Sequence, residues 1–271
     1  MYLIKPVLLS AVIWLVVQSP LSRESTTLFA QDFPGRLKIL SYNIHHGEGV
    51  DKKLDLERIA KLISESDADI VALQEVDVNT SRSQHVDQAK KLATMTKMNF
   101  VFGPNIKFGG GKYGNAILTR HKILKSKNFK LPNHNDGEQR GVLRATIEVK
   151  GWKQPILFLA THFDHRRDDV ERVASAKFVN QKIEIGDGQY CFLAGDFNDV
   201  IGSPTLRLLE KKWVMSHPKE LPTVPVDRPK RQIDFVFSAK GQSGQWVSTR
   251  VLDESIASDH RAVLTEYKLV K

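Results

Sequence analysis

Residues Phe192–Asp199 read FLAGDFND, an apolar run that ends in a carboxylate, Asp196, and an amide, Asn198. Gly, Asp and Asn are the usual residues of turns, so the stretch by itself is equally well explained as a buried strand that simply ends. Because side chains alternate along a strand, Asp196 and Asn198 should share one face while Phe197 points into the core. The alternatives are therefore a plain turn and a pair of polar groups presented together, with Asp199 in the turn or behind that pair.

Other predicted strands end in the same way. Their polar residues are Asn43, Glu75, His162 and Asp234, and Asp259 and His260 stand just before the last predicted strand. Each residue alone has an ordinary explanation as a turn former, a surface charge or a hydrogen-bonded histidine of the core. Together they would line one edge of a sheet assembly almost wholly with carboxylates, amides and imidazoles. We therefore predict a single polar site at that edge.

The hydrophobic pattern predicts strands over residues 37–46, 69–76, 113–120, 141–149, 155–163, 189–197, 232–239 and 261–270. It predicts helices over residues 54–66, 87–97, 168–183 and 203–211. In the last helix Ser203 is the expected N-cap and Pro204 the first helical residue. The third helix is expected to bury an apolar face made of Val170, Val173, Ala174 and Phe178. The pattern favours an α+β fold of two packed, mostly antiparallel sheets with helices outside.

The N-terminus differs from the rest of the 271 residues. Residues Val7–Val17 are uninterrupted and apolar, and a polar stretch follows, which is the order of a signal peptide. The apolar run is shorter than the about 20 residues that span a bilayer, although an uncleaved membrane anchor is the alternative. We therefore assign residues 1–33 to a signal peptide or anchor and residues 34–271 to one domain. We expect the protein to be exported, either to the periplasm or out of the cell. The alternative is that the N-terminal segment anchors it to a membrane.

Cysteine content and charge exclude some classes of function. The single cysteine, Cys191, rules out an intrachain disulfide and a cysteine-based zinc site, and its apolar strand predicts a buried, inert thiol. The net charge of +9 favours anionic partners such as phosphate esters, phospholipid head groups or nucleic acid, against the alternative of a solvated basic surface.

The predicted site has a coherent chemistry. Glu75, Asp259 and Asn43 offer hard oxygen donors, which suit Mg²⁺ or Mn²⁺ rather than zinc. Such an ion neutralises phosphate oxygens and polarises phosphorus. Asp196 can orient or deprotonate a water, and Asn198 can hold that water or a phosphoryl oxygen.

Two histidines of the predicted site titrate near neutral pH. His162 and His260 can therefore carry protons or stabilise charge. A carboxylate behind an imidazole fixes its tautomer, and Asp234 is the candidate partner of His260. The sequence leaves open which histidine is the general acid, because pKa values depend on burial and neighbours.

At this point the chain resembles a known family. The motifs LSYNIHHGEG, DIVALQEVD, YGNAILTR, LATHFDHRR, LAGDFND, QIDFVF and SDHRAVL occur in the order found in the endonuclease/exonuclease/phosphatase superfamily. That group includes deoxyribonuclease I, apurinic endonucleases, neutral sphingomyelinases and inositol polyphosphate 5-phosphatases. The resemblance covers about residues 36–270, and its specific part is GDFN at 195–198 followed by SDH at 258–260, with QE at 74–75 upstream. It implies a four-layer α/β/β/α sandwich and a divalent-metal phosphoesterase.

By position, the resemblance implies a role for each residue of the predicted site. Glu75 resembles the principal metal ligand, assisted by Asn43 and Asp259. Asp196 and Asn198 resemble the water-activating and phosphate-orienting pair, and Asp234 and His260 resemble the Asp–His dyad. His162 stands where apurinic enzymes have tyrosine, which favours the deoxyribonuclease I and sphingomyelinase branches.

The resemblance also implies a group of substrate-contacting residues. His45 stands where some relatives have an acidic residue, so one or two metal ions remain open and His45 is a candidate phosphate contact. Asn115 resembles a site-supporting residue, and Arg140 and Arg166 are candidate phosphate contacts, against the alternative of surface arginines. The glycine-rich segment Phe108–Gly114 is expected to be a mobile loop beside the site.

We therefore expect a metal-dependent hydrolase that cleaves a lipid or small-molecule phosphodiester by in-line attack of water on phosphorus. The alternatives are a secreted nuclease acting on DNA or RNA and, less favoured, a non-catalytic binding module. The basic charge favours the nuclease, but the sequence lacks an inserted stretch of mixed arginine and aromatic residues that would follow a strand. A membrane surface is a further candidate partner, and a monomer is expected.

Overall fold

The computed structural model describes residue 2 and residues 35–217, 219–242 and 244–270. Apart from residue 2, the predicted signal peptide or anchor therefore lies outside the described residues. Among the residues that are described, no helix is long and apolar enough to cross a membrane.

All of the predicted strands and helices are present, with ends shifted by a few residues, and additional strands join them. The strands are β1 (Arg36–Asn43), β2 (Ile70–Val78), β3 (Asn99–Phe108), β4 (Gly111–Thr119), β5 (Lys122–Lys130), β6 (Gly141–Glu148), β7 (Ile156–His162), β8 (Cys191–Asp196), β9 (Trp213–Met215), β10 (Asp234–Ala239), β11 (Gln245–Val251) and β12 (Val263–Lys268). The helices are α1 (Leu56–Ser66), α2 (Gln88–Thr96), α3 (Val170–Lys182) and α4 (Pro204–Leu209).

The strands form two six-stranded sheets, in the orders β11-β12-β1-β2-β4-β3 and β5-β6-β7-β8-β10-β9. One pair in each sheet is parallel, β1 with β2 and β7 with β8, and the other pairs are antiparallel. The parallel pairs matter for the site because the carboxyl ends of two neighbouring strands then meet at the same edge.

The two sheets pack face to face and carry helices on their outer faces. Ile39 and Ile70 of the first sheet and Phe158 and Phe192 of the second belong to one buried cluster between the sheets. A second cluster packs α1 and α2 on the first sheet, and a third packs α3 and α4 on the second. The four-layer α/β/β/α sandwich is therefore confirmed.

The helix ends follow local capping rules. The Asp55 side chain accepts hydrogen bonds from the backbone N–H groups of Glu57 and Arg58 at the start of α1. Ser203 caps α4 through the N–H of Leu206, with Pro204 in the first turn, so this prediction is confirmed.

The predicted apolar face of α3 is confirmed only for Phe178, which packs against the third cluster. The helix buries Ala176 and Val179, and Val170 is 48% exposed. The reason is that Glu171 and Arg172 are held in the interior by charged and backbone partners, which rotates the helix away from its most apolar stripe. Ion pairs with distant segments are invisible to a periodicity count.

The glycine-rich segment before β4 is a tight hairpin rather than the expected loop. β3 ends at Phe108 and β4 begins at Gly111, so only Gly109 and Gly110 lie in the turn. Both have positive φ, +51° and +79°, the conformation that a two-residue hairpin turn requires and that glycine adopts most readily. The hairpin places Phe108 at a defined position on the cavity described below.

Candidate active site

Three polar strand ends lie side by side in the second sheet. His162 ends β7, Asp196 ends β8 and Asp234 begins β10. His162 is opposite Asp196 in the parallel pair, and Asp196 is opposite Asp234 in the antiparallel pair. The register of these strands therefore places two carboxylates and one imidazole next to one another.

The first sheet meets this row through Asn43, the last residue of β1. The Asn43 amide Nδ2 donates hydrogen bonds to Glu75 Oε1 at 3.0 Å and to Asp196 Oδ2 at 3.1 Å. Its oxygen accepts a hydrogen bond from the backbone N–H of His45 at 3.0 Å. One buried amide thus joins the two sheets at the site.

A bulge in β2 sets the position of Glu75. The register of β2 against β4 shifts between Leu73 and Val76, and Glu75 has a positive φ of +58°. A bulge changes the direction in which a side chain points. A positive φ costs a non-glycine residue of the order of 1 kcal/mol, so the fold retains a strained backbone at Glu75.

The FLAGDFND stretch brings Asp196 and Asn198 together through a turn rather than through strand alternation. Asn198 lies outside β8 with a φ of +50°, a conformation that asparagine tolerates, and its N–H donates to Asp196 Oδ1 at 2.9 Å. Its Nδ2 also donates to the Phe163 carbonyl at 3.1 Å. Phe197 is buried in the outer cluster, and Asp199 forms an ion pair with Arg172 at 3.2 Å.

The predicted Asp234–His260 dyad is present. Asp234 Oδ2 lies 2.9 Å from His260 Nδ1 and accepts a second hydrogen bond, 2.6 Å long, from the Thr223 hydroxyl. His260 Nε2 faces the neighbouring carboxylate, 3.7 Å from Asp196 Oδ2. Ser258 donates to the Asn43 carbonyl at 2.7 Å and ties the SDH segment to the end of β1.

These neighbours decide the charge of His260. Burial lowers its pKa, but the carboxylates of Asp234 and Asp196 outweigh that effect and raise the pKa to about 10. His260 is therefore an imidazolium at neutral pH. Burial, followed by repulsion from Asp234, raises the pKa of Asp196 to about 7, which is suited to exchanging a proton near neutrality.

His162, in contrast to His260, is neutral. Burial and, after it, the Arg140 guanidinium hold its pKa well below the ordinary value. Arg140 Nη1 lies 3.0 Å from His162 Nδ1, and because a guanidinium can only donate, the ring proton belongs on Nε2. Nε2 lies 3.0 Å from Asn198 Nδ2, which is itself a donor, and 3.5 Å from Asp196 Oδ2, so the carboxylate of Asp196 is the acceptor that the Nε2–H faces.

The donor set fits a hard divalent cation. Glu75 and the exposed Asp259 both line one cavity of about 310 Å³ at the mouth of the site, and carboxylate oxygens are the ligands that Mg²⁺ and Mn²⁺ prefer. Asn43 directs its NH₂ group at Glu75, so in this arrangement it positions the carboxylate. Ligand atoms of Asp196, Asp234 and His260 form a second acidic group, all within 4.8 Å of one another.

A sequence model described as the Endonuclease/Exonuclease/phosphatase family matches residues 40–260. The chain belongs to this family. Members of the family hydrolyse phosphate esters and generally depend on a divalent metal, which agrees with the carboxylates of Glu75 and Asp259 at the mouth of the site.

Several proteins are similar to this chain over most of its length. YbhP of Escherichia coli K12, an uncharacterized protein, is 26% identical over 86% of this chain and 96% of its own length. A Beutenbergia cavernae family structure has a TM-score of 0.73 and 24% identity, over 86% of this chain and 72% of that one. A Bacteroides thetaiotaomicron mannosyl-6-phosphatase has a TM-score of 0.71 and 20% identity, over 85% of this chain and 99% of that one. The two structures show that the fold is shared.

The predicted phosphate contacts separate into two groups, of which His45 and Asn115 lie next to the site. His45 lines the cavity together with Glu75, and its Nδ1 lies 2.9 Å from the Glu48 carbonyl. Asn115 is buried in β4 and donates to the Gly141 carbonyl at 3.0 Å; its own oxygen has no partner among the described residues.

The two predicted arginine contacts are engaged with other protein groups. Arg140 is only 5% exposed and directs its two terminal nitrogens at His162 and His165, so its guanidinium positions imidazoles. Arg166 donates to the Asp164 carboxylate at 3.0 Å and is not among the described residues that line the cavity. The partners of Arg140 could not be read from the sequence, since His162 and His165 lie more than twenty residues further along the chain.

Sequence reasoning missed several residues of the site. They are Thr223, His165 and Arg82, whereas Phe108 and Tyr113 belong to the segment that was expected beside the site but were given no role. His165 was within reach because it stands three residues after His162 in a motif already singled out. Arg82 and Thr223 lie in irregular segments, where no periodicity predicts the direction of a side chain.

Proposed function

We propose that the protein is a divalent-metal-dependent phosphodiesterase that hydrolyses a lipid or small-molecule phosphodiester by in-line attack of water. The observation that carries the proposal is the arrangement of side chains around Asp196. The rings of His162 and His260 lie 3.5 Å and 3.7 Å from its Oδ2, and the Asp234 carboxylate stands behind His260.

Asp196 orients the attacking water and takes its proton. Hydrogen bonds from Asn43 and from the Asn198 N–H fix the direction of the carboxylate before substrate binds. A base whose pKa lies near the working pH is effective because it is both largely available and basic enough to accept the proton.

The two histidines stabilise the negative charge that develops on the phosphoryl oxygens. The His162 Nε2–H donates a hydrogen bond, and the His260 imidazolium, supported by Asp234, supplies a positive charge. As the bond between phosphorus and the leaving oxygen breaks, His260 can give its Nε2 proton to that oxygen. When a divalent cation is bound by Glu75 and Asp259, it neutralises phosphoryl oxygens and polarises phosphorus.

The compact cavity supports a small substrate over a nucleic acid. Its volume of about 310 Å³ suits one compact group beside the scissile phosphorus. The net charge of +9 favours the second candidate, a nuclease, and this alternative is tested by the same assay.

The test is a substrate panel with and without Mg²⁺, Mn²⁺ and a chelator. It contains bis(4-nitrophenyl) phosphate, phospholipids, plasmid DNA and oligonucleotides, and it compares the unmodified protein with Asp196→Ala and His260→Ala. The matched control is Asp253→Asn, which changes a carboxylate that is 92% exposed. We expect metal-dependent release from the small diesters or phospholipids, lost in both site variants and kept in the control.

Two other results would contradict the proposal. If no diester is cleaved with any metal, the protein is not a phosphodiesterase. If cleavage is confined to nucleic acid and binding falls steeply with salt, the nuclease is correct.

We further propose that the protein is exported, which the apolar segment Val7–Val17 supports. We also propose that it acts as a monomer. Fractionation of cells that produce the full chain tests the location, and sedimentation tests the oligomeric state. Recovery in the cytoplasm with the N-terminus intact would contradict export.

A further inference from the structure

Arg82 has a fixed orientation close to the site but has no part in the reaction described above. Its Nε and Nη2 donate to the two oxygens of Asp77, at 2.8 Å and 3.0 Å, and Asp77 is 0% exposed. The Asp77 carboxylate accepts a further hydrogen bond from the Thr80 hydroxyl at 2.6 Å. A bidentate pair with a buried, anchored carboxylate fixes the plane of the guanidinium.

Two aromatic rings hold the same guanidinium. Its central carbon lies 4.5 Å from the centre of the Phe108 ring and 5.2 Å from that of Tyr113. Phe108 is itself placed by the tight hairpin at Gly109 and Gly110. The remaining nitrogen, Nη1, has no hydrogen-bond partner within the described part of the chain, so a pre-oriented donor is left over.

Arg82, Phe108 and Tyr113 form one wall of the 310 Å³ cavity, and Glu75 and Asp259 belong to the same lining. The described residues that line it do not include Asp196, Asn198 or His260. The cavity therefore extends from the metal-binding carboxylates away from the attacking water. This space would hold a part of the substrate other than the scissile phosphate, joined to that phosphate by covalent bonds.

The charges around the cavity restrict the chemistry of that group. Glu75 and Asp259 are the carboxylates that a divalent cation would neutralise, and Glu138 is paired with Arg140 at 2.7 Å. Arg140 also lines the cavity, but its terminal nitrogens are engaged by His162, His165 and Glu138. Arg82 then remains as the oriented donor with a nitrogen to spare, with His45 and His165 also on the lining. An ammonium group there would be repelled by Arg82, and an alkyl chain would bury the Nη1 donor without a partner.

We infer that this cavity is a subsite for a second anionic group of the substrate, a phosphate or a carboxylate, which Arg82 binds while Phe108 and Tyr113 form its wall. The inference rests on the proposed phosphodiesterase function. It narrows the substrate class to compact diesters that carry a further negative charge close to the scissile phosphorus.

The test uses three synthetic diesters that share a 4-nitrophenyl leaving group and differ only in the retained arm, which is ethyl, choline or 2-phosphoethyl. With Mg²⁺ present, we expect kcat/KM to be highest for the phosphoethyl ester, by roughly 10- to 100-fold over the ethyl ester, because a charge-assisted hydrogen bond is gained. Arg82→Gln should remove this preference, so that kcat/KM for the phosphoethyl ester falls to within about twofold of the value that the same variant shows for the ethyl ester. Arg82→Lys should restore part of the preference, since it keeps the charge but not the fork.

The ratio of kcat/KM values for two esters is the deciding readout, because it is independent of the fraction of a variant that is folded. This matters because Arg82→Gln also leaves the buried Asp77 without its partner. Arg120→Gln is the matched control, since Arg120 is bound to Asp67 on the surface and does not line the cavity among the described residues. The control should keep the full preference.

The outcomes separate the inference from the function on which it rests. Hydrolysis of none of the three esters overturns the proposed function. Hydrolysis of all three without a preference for the anionic arm, or an equal loss on all three in Arg82→Gln, overturns the subsite.

A lipid and a free metabolite could both present the second phosphate. Two further arms distinguish them with phosphatidylinositol 4-phosphate in phosphatidylcholine vesicles and with its deacylated, water-soluble form. Cleavage that depends on Arg82 only in vesicles assigns a membrane source, and cleavage only of the soluble form assigns a free small molecule. Cleavage of either that is independent of Arg82 contradicts the subsite.

Discussion

His162 and His260 lie on either side of the same carboxylate, within 3.5 Å and 3.7 Å of Asp196 Oδ2, yet they carry different charges. His260 has Asp234 behind its Nδ1 and is an imidazolium, whereas His162 has Arg140 behind its Nδ1 and is neutral. Both rings are buried, so the sign of the partner and not the degree of burial decides the protonation state. One residue type thus supplies a cation on one side of the Asp196 carboxylate and a neutral ring on the other.

The largest expected effect comes from removing the carboxylate behind the imidazolium. Asp234→Asn should lower kcat about 100- to 10,000-fold with a smaller change in KM, because His260 then loses both its charge and its fixed tautomer. An NMR titration of His260 should show its pKa falling from about 10 towards or below the ordinary value. An unchanged pKa would contradict the comparison, and Asp253→Asn serves as the control.

The next effect comes from removing the guanidinium behind the neutral ring. Arg140→Met should lower kcat roughly 10- to 100-fold, because the His162 proton is no longer fixed on Nε2. With the positive charge gone, the pKa of His162 should rise, and an NMR titration of the ring measures the change. An unchanged pKa would show that Arg140 does not set the charge of His162.

Thr223 tests the comparison with a smaller change. Thr223→Val removes the 2.6 Å hydrogen bond to Asp234 Oδ2 but keeps the carboxylate and a side chain of similar shape. We expect the pKa of His260 to change little and kcat to fall about three- to tenfold, which corresponds to the loss of one buried hydrogen bond. A loss as large as that of Asp234→Asn would mean that orientation, not charge, is the main contribution of the dyad.

The smallest expected effect is on stability and concerns Asp69, a carboxylate that has no histidine partner among the described residues. Burial raises the pKa of Asp69 to about 6, and its Oδ2 accepts the Lys38 N–H at 2.8 Å. The protonated form is favoured, so this contribution to stability is present below about pH 4 and is lost as the pH rises through about 6. Asp69→Asn keeps the acceptor and should stabilise the protein by about 1–3 kcal/mol above pH 7 but not near pH 4.

Urea unfolding of Asp69→Asn and the unmodified protein at both pH values measures this difference. Activity should be unchanged, because Asp69 lies at the start of β2, away from the strand ends that form the site. Equal stabilisation at the two pH values would mean that the ionisation of Asp69 is not its source.

The strands that the sequence predicted are those with a buried face. β8 and β10 are buried along their whole length, and their apolar runs were recognised directly. β5, which reads KILKSKNFK, and β11 are mostly exposed strands at the edges of the two sheets, so their side chains show no apolar alternation. Edge strands are commonly charged because this discourages further pairing, and the same charge hides them from a periodicity count.

The sequence alone determined the family, the two-sheet fold and the polar residue types at the strand ends, because local periodicity and short motifs encode these features. Only the tertiary structure decided that His260 is charged and His162 neutral, that Arg140 positions imidazoles, and that Arg82 faces the cavity. The physical reason is that these properties depend on burial and on partners from distant segments. FLAGDFND placed Asp196 at a strand end, but burial and, after it, the charge of Asp234 raise the pKa of Asp196 to about 7.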